Sequence, residues 1–135
     1  PINVTLWVSS TARDTDFTAK LIDLYPPSAA YPFGYALNLT DSIMRLRYRN
    51  SPETSQFLPP GEIGQLTITL YPTSNLFTTG HRIRLDISSS NFPRFDVNPN
   101  TGEKIGLNRR QVSADNSIHL DSENPSHIVL PIIPS

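Results

Sequence analysis

Apolar and polar residues alternate one by one along most of this chain. In residues 2–8 every second side chain is apolar. Successive side chains of a β-strand point to opposite faces, so a period of two predicts strands with one buried face. The same pattern, rich in β-branched and aromatic residues, predicts further strands at residues 18–25, 35–39, 44–49, 66–71, 82–87, 112–120 and 127–132. The pattern predicts an all-β protein.

Proline separates these apolar runs and glycine is sparse, with 13 prolines against 6 glycines. Examples are Pro26-Pro27 and Pro59-Pro60-Gly61, which mark the turns between short strands. The chain has 135 residues and neither an internal repeat nor a visible boundary, which is enough for one core. We therefore expect residues 1–135 to form a single β-sandwich domain.

Composition limits the classes of binding partner and the cellular compartment that we expect for this chain. The net charge of −1 indicates no general attraction to nucleic acid or anionic lipid. No apolar run approaches the roughly 20 residues of a membrane helix, and cysteine is absent. We expect no nucleic-acid or membrane partner, and the cytoplasm rather than secretion. Because the chain begins with Pro1 instead of Met, we expect it to be a fragment of a larger protein.

Catalytic motifs are hard to find in the sequence. The Gly-x-Ser-x-Gly turn of α/β serine hydrolases is absent, and the serines at 88–90 have no base placed near them by a motif. His81, His119 and His127 are best interpreted as surface or packing residues. We predict no catalytic residue and no cofactor.

Three aspartates and three arginines suggest other sites. Asp14, Asp16 and Asp23 offer oxygen ligands for Ca²⁺, but their spacing lacks the glycine and the later glutamate of a calcium loop. We therefore predict no metal and interpret Asp14 and Asp16 as caps of backbone groups in a turn. The three arginines form one basic face of the predicted strand 44–49 and should meet solvent or another subunit: Arg45, Arg47 and Arg49.

Two groups of aromatic residues are candidates for binding. Residues 88–96 follow a predicted strand and place Phe92 and Phe95 among polar residues, in the longest irregular stretch of the chain. A second group suits stacking on sugars, which leaves a carbohydrate-binding module as an alternative function: Trp7, Tyr31, Phe33 and Tyr35.

Nine ordered blocks across the whole chain resemble the C-terminal domain of the X-Pro dipeptidyl-peptidase and cocaine-esterase-like (CocE/NonD) serine hydrolases. The strongest are GHRIRL at 80–85 and SSSNFPRFD at 88–96. The others are VTLWVSS at 4–10, DTDFTAKL at 14–21, LNLTD at 37–41, RLRYR at 45–49, LYPTSN at 70–75, NPNTG at 98–102 and PSHIVLP at 125–131.

The resemblance implies a jelly-roll sandwich of the galactose-binding type, joined to an upstream α/β-hydrolase domain that carries the Ser-Asp-His triad. It implies that the parent enzyme hydrolyses acyl esters, amides or X-Pro peptide bonds of a small acyl substrate. The C-terminal domain would wall the acyl pocket and contribute to a homodimer. By resemblance, the pocket-lining residues would be Ser90, Asn91, Phe92 and Phe95.

One departure from the family concerns the start of the chain. Its sandwich usually receives strands from residues before the block at 4–10, which here lies almost at Pro1. We therefore expect either a sandwich that lacks N-terminal strands, which would leave backbone donors and acceptors of a neighbouring strand unpaired, or one that receives these strands from a separate chain or fragment.

Overall fold

Seven strands and one 3₁₀ turn make up the regular structure of the described residues. The computed structural model describes residues 2–71, 73, 75–89, 100 and 114–131. The strands are β1 (Ile2–Ser10), β2 (Asp16–Tyr25), β3 (Tyr35–Arg45), β4 (Gly64–Leu70), β5 (Arg82–Ser88), β6 (Asn116–His119) and β7 (His127–Val129), and the 3₁₀ turn covers Leu46–Tyr48. In the part of the chain that is described, no helix is long and apolar enough to cross a membrane.

The first sheet is built around β1. Strand β4 pairs antiparallel along one edge of β1, from Ile2 opposite Leu70 to Val8 opposite Gly64. Strands β6 and β7 share the other edge and are also antiparallel to β1. Successive side chains of β1 and β4 alternate between buried and more exposed positions, as the period of two predicts.

The second sheet has the order β3-β2-β5 and is antiparallel throughout. Its central strand is β2, which is buried along most of its length. The register of β3 against β2 shifts between Leu21 and Ile22, so Leu39 has no residue directly opposite it. Such a bulge bends the strand that carries the extra residue.

The two sheets pack face to face around one core. Side chains of β1 and β4 meet those of β2, with Leu46 and Leu58 closing the side of the core. The buried members are Ile2, Val4, Leu6, Val8, Phe17, Ala19, Leu21, Leu46, Leu58, Leu66, Ile68 and Leu70. The predicted all-β sandwich is confirmed.

The predicted strand at residues 44–49 was wrong beyond Arg45. Strand β3 instead runs on to Arg45, where it ends opposite Asp16, the first residue of β2. Beyond Arg45, the backbone pairs with no further strand among the described residues. The Leu46 N–H donates to the Thr15 carbonyl (2.9 Å) and the Arg47 N–H to Asp14 Oδ1 (3.0 Å), so the backbone coils into a 3₁₀ turn.

The last two predicted strands are shorter than expected. The segment predicted at 112–120 forms β6 over Asn116–His119, and the one at 127–132 forms β7 over His127–Val129. Residues 112, 113 and 132 lie outside the described residues.

Candidate interdomain site

The predicted pocket-lining loop leaves the sandwich at the end of β5. The four predicted pocket residues lie outside the described residues: Ser90, Asn91, Phe92 and Phe95. The strand before them, β5, is described and ends at Ser88. Ser88 pairs with Thr18 near the start of β2, and their hydroxyl oxygens lie 2.5 Å apart. The loop therefore starts from the end of the second sheet at which β2 begins.

The chain returns from this segment to the same end of the molecule. The Thr11 N–H donates to the Asp115 carbonyl (3.1 Å), and the Asp115 N–H donates to Thr11 Oγ1 (2.9 Å). Next to them, Asn116 Nδ2 donates to Thr15 Oγ1 (3.1 Å). The connection between β1 and β2, residues 11–15, thus holds the returning stem, while the leaving stem lies beside Thr18.

A buried ion pair fixes this connection. The Arg47 Nε donates to Asp14 Oδ2 (2.7 Å), and both side chains are almost completely buried, with 6% and 1% exposed. The guanidinium also lies 5.3 Å from the ring centre of Phe57, which the guanidinium of Arg13 approaches to 4.6 Å. This charge-assisted ion pair, together with the contact between the guanidinium groups and the Phe57 ring, orders the connection between β1 and β2.

A second ion pair lies one step along the strands. Arg45 donates from Nε and Nη2 to the two carboxylate oxygens of Asp16, at 2.9 and 3.0 Å. The hydrogen bonds to the Asp16 carboxylate raise the pKa of Arg45 above its ordinary value. This bidentate geometry ties the first residue of β2 to the last residue of β3.

These pairs correct the predicted basic face. Arg45 and Arg47 do not point together to solvent or to a subunit, because each binds a buried aspartate. The Arg49 Nη1 donates to the carbonyls of Leu46 and Gln56, so it closes the loop after the 3₁₀ turn. Asp14 accepts a backbone N–H, but the donor is Arg47, 33 residues further along the chain, and not the turn for which the cap was predicted.

One histidine, His81, binds the third aspartate, Asp23. His81 Nδ1 lies 2.8 Å from Asp23 Oδ1, and Asn75 Nδ2 donates to Asp23 Oδ2 (3.1 Å). Such a pair orients the imidazole in hydrolases, but among the described residues no hydroxyl or thiol hydrogen-bonds to the His81 ring. Nor, within those residues, do three histidine, aspartate or glutamate side chains group as metal ligands.

The four aromatic residues of the carbohydrate-binding alternative do not share one surface. Trp7 lies on the outward-facing side of β1, opposite Gln65 and His119. Tyr31 and Tyr35 stack on each other beyond the far end of β2, with ring centres 5.0 Å apart, and Phe33 is 99% exposed beside them. Stacking covers one face of each tyrosine, and carbohydrate binding stays a prediction.

A family model matches nearly the whole chain. It is described as the X-Pro dipeptidyl-peptidase C-terminal non-catalytic domain and matches residues 1–129. The chain belongs to this family. As an X-Pro dipeptidyl-peptidase C-terminal domain, it is an accessory domain and not an enzyme itself, which confirms the resemblance of its nine sequence blocks.

Known proteins similar to this X-Pro dipeptidyl-peptidase C-terminal domain include an esterase and an ester hydrolase. Cocaine esterase of Rhodococcus sp. (strain MB1 Bresler) is 46% identical over 134 residues, which are 98% of this chain and 22% of that protein. Among solved structures, an α-amino acid ester hydrolase matches with a TM-score of 0.82 and 34% identity, over 94% of this chain and 22% of its own.

A third similar protein extends the range of named activities. An aminopeptidase from the marine sediment archaeon Thaumarchaeota archaeon matches with a TM-score of 0.86 and 29% identity, over 96% of this chain and 23% of its own. The chain thus spans about a fifth of the length of these relatives.

Proposed function

We propose that this chain is the C-terminal domain of a serine hydrolase that cleaves acyl esters or amides, and that its residues 90–95 wall the acyl pocket. The observation that carries the proposal is the match to a non-catalytic hydrolase domain over residues 1–129, with 46% identity to an esterase across nearly the whole chain. The relatives are named for cleavage of esters or of peptide bonds, which both proceed by attack on an acyl carbon.

The anchoring of the loop stems supports this role for Phe92. One stem is beside Thr18 and the other is bonded to Thr11 and Thr15, where two ion pairs order the backbone. A firmly held base suits a segment that positions a substrate and excludes water, because such a wall must keep its place during catalysis. The chemistry itself belongs to the hydrolase domain, and a homodimer through this domain remains part of the proposal.

Substitution of Phe92 by alanine in the parent hydrolase tests the pocket wall. We expect the ratio of kcat/KM between a bulky and a small acyl ester, such as p-nitrophenyl benzoate and acetate, to change by about 10-fold or more, the usual effect of losing an apolar contact in a pocket. Leu120→Ala is the matched control, because Leu120 is 78% exposed at the end of β6, in the other sheet. An unchanged ratio in Phe92→Ala would contradict the pocket assignment.

A further inference from the structure

The hairpin between β2 and β3 presents an unusual surface. Ten of the eleven residues from 26 to 36 are exposed, and none of the eleven is charged. Phe33 is 99% exposed at its centre, and Tyr31 and Tyr35 are 40% and 44% exposed. Surfaces that stay in water usually carry charged residues, whereas the centres of interfaces are depleted of charge and enriched in aromatic residues. We name residues 26–36 the aromatic tip.

Hydrogen bonds hold the aromatic tip in one conformation. The Ser28 and Gly34 N–H groups both donate to the Tyr31 carbonyl, at 2.8 and 2.9 Å, and the Tyr31 N–H donates to Ser28 Oγ at 3.1 Å. The rings of Tyr31 and Tyr35 each meet Tyr25 edge-on with centres 5.8 Å apart. A loop that is ordered before binding loses little conformational entropy on docking, which favours a role in recognition.

Polar side chains around the buried carboxylate of Asp23 support the tip from below. The His81 ring lies 4.2 Å from the Tyr25 ring, centre to centre, and its Nδ1 is bound to the buried Asp23. Asn75 donates to the same carboxylate. Two side chains from the connection between β4 and β5 therefore fix the base on which the tyrosines rest.

The aromatic tip lies at the opposite end of β2 from the stems of the pocket loop. Strand β2 has 10 residues, so its ends are about 30 Å apart at the usual rise per residue. A partner that meets both ends must be large. The relatives have more than three quarters of their length outside the matched region, since the match covers 22% of them.

We propose that the aromatic tip is a second docking surface for the hydrolase domain of the same polypeptide, with Phe33 inserted in an apolar pocket of that domain. This inference rests on the proposed function. Ten exposed residues are too few for a free-standing dimer, whose interface typically takes about 20–30 residues a side. They suffice for a tethered domain, whose effective concentration reaches the millimolar range.

A photo-cross-linker at position 33 tests the proposal in the parent hydrolase. The variant Phe33→p-benzoylphenylalanine keeps an aromatic ring at the exposed position, and mass spectrometry of the irradiated protein identifies the linked peptide. The matched control carries the same group at Leu120, which is 78% exposed in the other sheet. We expect position 33, and not position 120, to link to a peptide of the hydrolase domain with a yield that is unchanged on about tenfold dilution, as in an intramolecular contact.

Each other outcome overturns the docking proposal. A covalent dimer whose yield falls on dilution would assign the tip to a second copy of the chain. Links confined to residues 1–135, or no link at all, would show that the hydrolase domain does not cover Phe33. Hydrolysis of p-nitrophenyl acetate by the same sample separates this failure from failure of the proposed function, because an active protein without the cross-link loses only the tip assignment.

Discussion

At the residue scale, one buried ion pair does more for this domain than its surface charges. Asp14 and Arg47 are both nearly inaccessible, and their bond joins the β1–β2 connection to the 3₁₀ turn. Arg84 and Asp86 form a pair of the same chemistry on β5, with side chains 44% and 45% exposed. The difference in burial predicts very different energies, since water screens the exposed pair.

Replacing each arginine by methionine compares the two pairs. We expect Arg47→Met to lower the free energy of unfolding by about 3–5 kcal/mol, because it takes the guanidinium from a buried carboxylate. Arg84→Met should change it by less than about 1 kcal/mol, as for exposed pairs. Urea unfolding followed by tryptophan fluorescence gives both values. Equal effects of the two substitutions would refute the assigned role of Arg47.

The sequence could not reveal this role of Arg47. Arginine alternates with apolar residues at 45–49, which is the pattern of a strand with a solvated basic face. The carboxylate that pairs with Arg47 belongs to Asp14, which is 33 residues away in the chain, in the connection between β1 and β2. An ion pair between distant segments leaves no local signal, whereas Asp14 could be assigned as a cap because turn aspartates commonly accept backbone N–H groups.

At the element scale, the period of two predicted the central strands well. Strands β1, β4 and β5 have one face against the core and therefore carry the alternation directly in their residues, whereas β2 is buried along most of its length. The end of β3 was missed because the limit of β2 at Asp16, and not a property of residues 46–48, decides where pairing stops. At the tight turn, Gly34 lies so close to the Tyr25 carbonyl oxygen that a Cβ would clash with it, and the sequence likewise does not show this approach.

Substitution of Gly34 by alanine tests how the hairpin joins β2 to β3. Gly34 has φ of +80°, and a Cβ there would lie 2.7 Å from the Tyr25 carbonyl oxygen. Gly61 has φ of +84° with open space around it, so Gly61→Ala measures the backbone strain alone, about 1–2 kcal/mol. We expect Gly34→Ala to lower the free energy of unfolding further than Gly61→Ala. Similar losses in thermal unfolding would mean that the hairpin relaxes the clash.

At the scale of the whole molecule, the second sheet carries one proposed functional surface at each of its two ends. The pocket loop leaves beside Thr18, and the aromatic tip lies beyond Tyr25. Sequence blocks identified the family, because nine ordered motifs are jointly specific. They did not reveal that Trp7 and the tip aromatics lie on different sheets, since sheet membership depends on pairing between distant strands.

The isolated chain should be inactive as a hydrolase. We expect the 135-residue protein to hydrolyse p-nitrophenyl acetate no faster than a heat-denatured sample, because it belongs to a non-catalytic domain family. The parent hydrolase assayed under identical conditions is the positive control. Turnover by the isolated chain that survives repeated purification would contradict the assignment of all chemistry to the other domain.

The anchored stems of residues 90–113 have a consequence for how this family diversifies. Because the two ends of the segment are held by contacts at Thr18, Thr11 and Thr15, its length and composition can drift without disturbing the core. Lengthening a closed loop costs little, about 0.6 kcal/mol for each doubling. Under the proposed function, insertion, deletion or replacement in this segment would change acyl specificity while the sandwich is inherited unchanged.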